Sequence, residues 1–364
     1  MVKTRHPYKN MDIIQIRDIS YRDAQKVAQA FDPDIKGLYE LLESGEAKLR
    51  GQRNLVLRLD NPQSYQGIKY KYVKIKGHHY FPEDKTDFLF PCSKVYTDTA
   101  GMPVNTKEIN HYKCGTKLKK KDTYFFEIKR TKKRIHVVSL KKPSKRPQGA
   151  MTKREIETEI SIEEKSLEKG LLCPVPVAKI QYRFKFQGQE TFAYLCFIPD
   201  DNGCIGDSIS KAILEKDSDT LNQAVCLQHR ALRRLNEENI IHLFFHYGNS
   251  YFLGKTKKVV YHDFEDALDV SRLGKEHRLE YAILDLTELM TRSFYIEDIL
   301  KKEGKEKMLT ESLFKVGLEE YFRVRNHPEL DRIADELDQK DDFEENCTVS
   351  FNNISALVKL LKEI

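Results

Sequence analysis

At 364 residues, with 40% hydrophobic and 32% charged side chains and a net charge of +6, the chain is long enough for two compact domains or one bilobal unit with an extension. No apolar run approaches the roughly 20 residues that cross a bilayer, and the start MVKTRHPYKN leads into no apolar signal core. Seven scattered cysteines without a CxxC pair speak against a zinc ribbon or a disulfide frame, so a reduced, cytoplasmic protein with no membrane partner is expected.

Charge is spread unevenly. Residues 1–150 hold twice as many basic as acidic side chains, most of the excess lies in 111–150, and the remainder is net acidic. That segment is either a footprint for a polyanion such as nucleic acid or a solvated lysine face. In chain order, Ser20 with Asp23 three positions on predicts a helix start, and Ala24, Val27, Ala28 and Phe31 give an apolar stripe that Asp32-Pro33 closes. A second helix is expected over Ile35–Ser44, ended by Gly45. The texture turns to strands at Leu55–Leu59 and Tyr70–Ile75, where apolar residues and lysines alternate. Residues 91–110 read as a loop, and Thr123–Ile128 with Ile135–Leu140 as a strand pair. A strong helix is expected over 151–170: Thr152 caps it, Glu155 closes a capping box, and Ile156, Ile160, Leu167 and Leu171 share a face. Val175–Phe186 and Thr191–Phe197 follow as strands around Gln187-Gly188, and Pro199–Gly203 breaks the chain. The rest is mainly helical, interrupted by one short hairpin.

The residues that carry chemistry lie around that hairpin. His242-Leu243-Phe244-Phe245-His246-Tyr247-Gly248-Asn249 is followed by Val259-Val260-Tyr261-His262 and then Asp263-Phe264-Glu265-Asp266-Ala267. One amide oxygen (Asn249) and one carboxylate (Asp263) on loop ends are the hard ligands that Mg2+ takes when phosphates and water fill its other positions. With Ile240-Ile241 before it, this stretch resembles the catalytic segment of the protein-kinase-like superfamily, in particular small bacterial aminoglycoside- and choline-phosphotransferase-like and lipopolysaccharide-core-kinase-like proteins. Glu163 followed by Cys173-Pro174-Val175-Pro176-Val177 resembles that family's junction between the N-lobe helix and the next strand. The resemblance covers about residues 115–295 and is specific across 240–267. It implies an α+β, bilobal fold: a β-rich N-lobe with one helix over 111–199 and a helical C-lobe over 200–364, preceded by an N-terminal α/β extension over 1–110.

The resemblance also implies ATP and Mg2+ as cofactors, with the metal held by Asn249 and Asp263. A strand lysine that neutralises phosphate charge is expected at Lys141, or Lys142 beside it, and its helix partner at Glu163 or Glu164. His242 is expected to brace the loop. The chain departs from the family in two places. Phe244 occupies the position of the catalytic aspartate, so a base would have to come from elsewhere, such as His246, Asp266 or Asp269. Where a glycine-rich loop should cover the phosphates, only Gly115 stands among Lys117, Lys119, Lys120 and Lys121. Three classes of function follow: a nucleotide-binding pseudokinase with a regulatory or scaffolding role, an active phosphotransferase or nucleotidyl (AMP) transferase with a relocated base, or a nucleic-acid or polyanion binder using 111–150. The motifs name neither an acceptor nor a protein partner.

Overall fold

The structure is a computed structural model that describes residues 11–31, 36–50, 54–78, 89–91, 125–130, 135–140, 145–147, 150–186, 189–199, 204–243, 245–253, 258–309, 311–338 and 351–363. The chain begins β1 (Met11–Gln15), α1 (Tyr21–Ala30), α2 (Lys36–Glu43), β2 (Ala47–Arg50), β3 (Asn54–Tyr65) and β4 (Ile68–Lys76). Short strands β5 (Leu89–Pro91), β6 (Phe125–Arg130), β7 (Ile135–Leu140), β8 (Lys145–Pro147) and β9 (Met151–Thr152) precede α3 (Lys153–Glu168), β10 (Val175–Phe186) and β11 (Gln189–Ile198). Then come α4 (Ile205–Glu215), α5 (Ser218–Glu237), β12 (Ile240–Ile241), β13 (Ser250–Leu253), β14 (Lys258–Tyr261) and β15 (Leu268–Asp269). Helices α6 (Lys275–Lys302), α7 (Leu313–Phe322), α8 (Pro328–Asp338) and α9 (Phe351–Glu363) complete a mixed helix and sheet chain. Among the described residues no helix is long and apolar enough to cross a membrane.

Two compact units result. The first comprises Met1–Pro91, Lys145–Asn202 and Leu253–Glu265; the second comprises Cys92–Ser144, Gly203–Phe252 and Asp266–Ile364. The first is built on a seven-stranded sheet in the order β1-β10-β11-β4-β3-β2, with β9 on β11. Its pairings are antiparallel throughout. Residues 11–76 of the expected N-terminal extension therefore supply four strands of the sheet that holds β10 and β11. The physical reason is burial on both faces. Val56 and Tyr72 pack toward α3 while Leu55, Leu57, Val73 and Ile75 are buried on the opposite face. An isolated hairpin of β3 and β4 could not cover both sides of itself.

Local signals act as expected. Ser20 Oγ accepts the Asp23 amide at 3.2 Å and starts α1. Asp23 is itself buried and accepts the Asp60 amide at 2.8 Å, which ties α1 to β3. Thr152 and Glu155 form the full capping box of α3. That helix lays Ile156 into a cluster with Val56, Met151, Phe192, Tyr194, Cys196 and Ile198. Its buried side also carries Glu155, Glu159 and Glu163, one turn apart.

The second unit is largely helical. Helix α5 buries Leu221, Val225, Leu232 and Leu235, and it packs against α7 and α4. At the α5–α7 seam Gly317 makes room for His229. A Cβ at Gly317 would lie 2.4 Å from the His229 ring. That ring is fully buried and held through Nδ1 to the Val225 carbonyl at 2.9 Å. Helix propensity alone favours alanine over glycine by about 1 kcal/mol, but overpacking reverses the sign. Gly317→Ala is expected to lower stability by about 1–3 kcal/mol in urea unfolding; a more stable variant would refute the seam.

The same burial sets a pH dependence. His229 Nε2 has no hydrogen-bond partner among the described residues, and burial holds the ring at about 4, below its ordinary 6.5. Because the folded value lies below the unfolded one, the stability this group contributes is complete above pH 6.5 and fades as pH falls toward 4. By pH 5 about 2 kcal/mol should be gone. The slope of stability against pH between 6.5 and 4 should be shallower in His229→Leu, and an unchanged slope would show that the ring does not titrate there.

Candidate functional site

Strand β4 ends on Lys76, and its period of two places Tyr72, Lys74 and Lys76 on the face covered by α3. Gly77 then turns the chain at φ +78, where a Cβ would meet the Phe192 carbonyl oxygen at 2.9 Å. Its own carbonyl accepts the Tyr182 hydroxyl at 3.0 Å. Lys76 is thus fixed at a tight turn, with its side chain only 2% exposed. The ammonium lies 2.7 Å from Glu159 Oε2 and 3.1 Å from Glu265 Oε2, and donates a very short bond to Asp263 Oδ1.

Glu159 comes from the buried side of α3 and Asp263 and Glu265 from the turn after β14. That turn is fastened by the Tyr261 amide on the Leu172 carbonyl at 2.9 Å and by the fully buried ring of Phe264. Asp263 has φ +71, a left-handed conformation that costs a residue with a Cβ roughly 1 kcal/mol or more. One carboxylate oxygen from each of Glu159, Asp263 and Glu265 lies within 4.8 Å of the others. These are hard oxygen donors, the kind that suits Mg2+. Among the described residues three carboxylates stand close to this ammonium, and Lys74 is a second cation acting on Glu159. Burial pushes Glu159 up to about 6, opposed by Lys76 and reinforced by Asp263 and Glu265.

The expected lysine and its helix partner are not brought together among the described residues. Lys141 and Lys142 lie outside the described residues, as do the basic side chains of 111–150. The buried strand lysine beside Asp263 is Lys76. Glu163 is fully buried and its Oε2 accepts a very short hydrogen bond from Tyr194, the residue across the sheet from Lys76. Burial, with Glu159 one turn away, pushes its carboxyl well above the usual range. Glu164 forms a bidentate pair with Arg17 at 2.6 and 2.9 Å. The glutamate on the lysine is Glu159. A signal for it existed: Glu155, Glu159 and Glu163 repeat every four residues beside Ile156. Like charges so spaced destabilise a helix that has no partner for them.

In the second unit the segment 242–249 is braced from two helices. Asp285 on α6 is fully buried. It accepts the amides of His242 and Leu243 at 2.8 and 2.9 Å and the Asn236 side chain at 3.0 Å. Leu243 sits at φ +67. On the α5 side, Gln228 donates to the His246 carbonyl at 3.2 Å and accepts the Ser250 hydroxyl at 2.7 Å. The Tyr247 hydroxyl meets Ser293 Oγ at 2.8 Å. His246 uses Nδ1 to accept the Gly248 amide at 2.9 Å, a turn-forming role. Asn249 is buried, and its amide donates to the His246 carbonyl at 2.9 Å. Asp269 accepts the Ser271 amide at 2.9 Å. Phe244 lies outside the described residues.

No family model matches this sequence, and no curated protein matches it. Among solved structures the chain is similar to one described as WaaP in complex with acyl carrier protein. That likeness has 11% identity and a TM-score of 0.37, covering 91% of this chain and 96% of that one, and is too slight to carry an argument.

The Asp285 bracing makes a testable demand. Asp285→Ala leaves two backbone N–H groups without their acceptor and should cost about 2–5 kcal/mol in urea unfolding, with faster amide exchange at His242 and Leu243. Asp285→Asn, which keeps one oxygen, should lose less. An alanine variant within 0.5 kcal/mol of the parent, on the order of the scatter for surface changes, would show that the carboxylate is not what holds the loop.

Proposed function

We propose that this is a kinase-like protein that binds ATP with Mg2+ and, with phenylalanine in place of the catalytic aspartate, acts as a pseudokinase in regulation or scaffolding. The observation that carries this reading is the buried Lys76–Glu159 ion pair set against Asp263 of Asp263-Phe264. In protein kinases a lysine on the third strand pairs with a helix glutamate, and the aspartate of D-F-G holds the metal. Here Lys76 ends the third strand of the run β2-β3-β4, and α3, the helix on that face of the sheet, supplies the glutamate.

Each group has a part in holding a nucleotide. Lys76 would neutralise phosphate charge, Glu159 aims and holds it, and Asp263 offers the carboxylate for the metal. Mg2+ would supply further neutralisation of the phosphates, and the carboxylate oxygens of Glu159, Asp263 and Glu265, within 4.8 Å of one another, are donors of the kind that cation takes. Asn249 stays in the proposal on its sequence spacing, as the amide oxygen of the ligand set. Phe244 can neither accept a proton nor orient a hydroxyl. General-base help is worth about 10²–10⁴-fold in rate and little in affinity, so binding without efficient turnover is the expected behaviour.

Calorimetry with ATP, with and without Mg2+, tests the reading. Wild type should bind in a Mg2+-dependent manner, Asp263→Ala should lose that dependence, and Phe244→Asp should bind about as well as wild type. Undetectable binding at millimolar ATP, or binding indifferent to Asp263→Ala, would sink it.

A further inference from the structure

We propose that Glu163 and Tyr194 are a positioning pair, whose buried hydrogen bond fixes the height of α3 over the sheet at which Glu159 meets Lys76. The inference rests on the nucleotide reading above, in which Lys76 neutralises phosphate charge, and adds the residues that keep the lysine aimed.

The geometry is a match of two spacings. Glu159 and Glu163 stand one turn apart on the buried side of α3, an offset of about 5–6 Å along one face of a helix. Lys76 and Tyr194 are register partners on the adjacent strands β4 and β11. Such partners share a face of the sheet, with Cβ atoms about 4.5–5.5 Å apart. Because the two steps are nearly equal, one height of the helix satisfies both partners. A slide of one turn would bring Glu163 to Lys76 and set the apolar Leu167 over the Tyr194 hydroxyl. A single ion pair would let the helix pivot about it, and the second contact stops that.

Glu163 suits the hydroxyl and not the lysine. It is fully buried, its Oε1 has no hydrogen-bond partner among the described residues, and burial with Glu159 nearby holds the carboxyl well above the usual range. A neutral acid still accepts a phenol hydrogen through its carbonyl oxygen but is no counter-ion for an ammonium. The neighbouring tie of α3, Glu164 to Arg17, is part-exposed, so water can stand in for either partner. Tyr194 is fully buried. Losing its hydroxyl leaves a buried acid without a donor, and the helix must shift to let water reach it. That shift draws Glu159 off Lys76.

The test is the affinity of the full chain for ATP with Mg2+, measured by calorimetry at a temperature where each variant is folded, so that a loss of stability alone does not register. Tyr194→Phe, which lacks only the hydroxyl, should bind about tenfold more weakly than wild type. Glu163→Gln keeps an acceptor oxygen and should stay within about threefold. Adding Glu163→Leu to Tyr194→Phe removes the acid that needs a donor and should recover most of the loss. If Tyr194→Phe does not fold, Glu163→Leu alone, which strands the hydroxyl, replaces it as the weak binder against Glu163→Gln. A Tyr194→Phe variant that binds like wild type, a glutamine variant as weak as Tyr194→Phe, or a double variant no better than Tyr194→Phe overturns the proposal while the nucleotide reading stands. Absence of Mg2+-dependent ATP binding in wild type overturns both.

Discussion

An ammonium withdrawn from water costs several kcal/mol unless carboxylates replace its hydration with good geometry, and Lys76 sits in the sheet of the first unit under that constraint. The surrounding structure answers it piece by piece. Period two on β4 turns the lysine toward α3, and Gly77 stops the strand where the side chain must stay. The capping box sets the start of α3, so that Glu159 and Glu163 arrive over Lys76 and Tyr194, which face each other across two strands. Glu163 takes the tyrosine hydroxyl, leaving Glu159 for the lysine. The helix thus presents two acids one turn apart to two different sheet partners.

The second unit solves a related problem with backbone groups. A loop that turns through a left-handed leucine and carries buried polar residues must find acceptors for its amides. Asp285 provides them from one helix and Gln228 from another. His246, a candidate base by sequence, has its Nδ1 engaged in shaping the turn at Gly248. Its position reflects how the loop is made, whatever its second nitrogen does.

Local chemistry was legible in the sequence wherever it depends on neighbours along the chain. Ser20, Thr152 with Glu155, the breaks at Gly45 and Pro199, and the strands before and after Gln187-Gly188 needed no tertiary information. What was hidden depends on pairing. Lysines alternate along β4, and nothing in a single strand says which of Lys69, Lys71, Lys74 and Lys76 is buried; the answer comes from β11 and α3. Lys141 stands out because it ends an apolar run, and Glu163 because it lies near Cys173-Pro174, whereas Lys76 and Glu159 meet only where α3 packs on the sheet. The family resemblance begins near residue 115 and implies a boundary near 110, yet β1 to β4 belong to the same sheet as β9, β10 and β11. Asp285 lay far from every motif and had no local signature.

The distance along the chain between the partners of Lys76 has a consequence for how the protein is made. Glu159 is 83 residues further on and Asp263 is 187. During synthesis β4 exists long before either acid does, so a lysine destined for burial must wait in water, and β4 must wait for β11 beside it. Closing such long loops adds entropy slowly with length but delays the contacts that reward it. A nascent chain interrupted before residue 263 can form the sheet and the Glu159 pair, yet it lacks the turn that carries Asp263 and Glu265. The charge balance of this site is therefore settled only after most of the chain has been made.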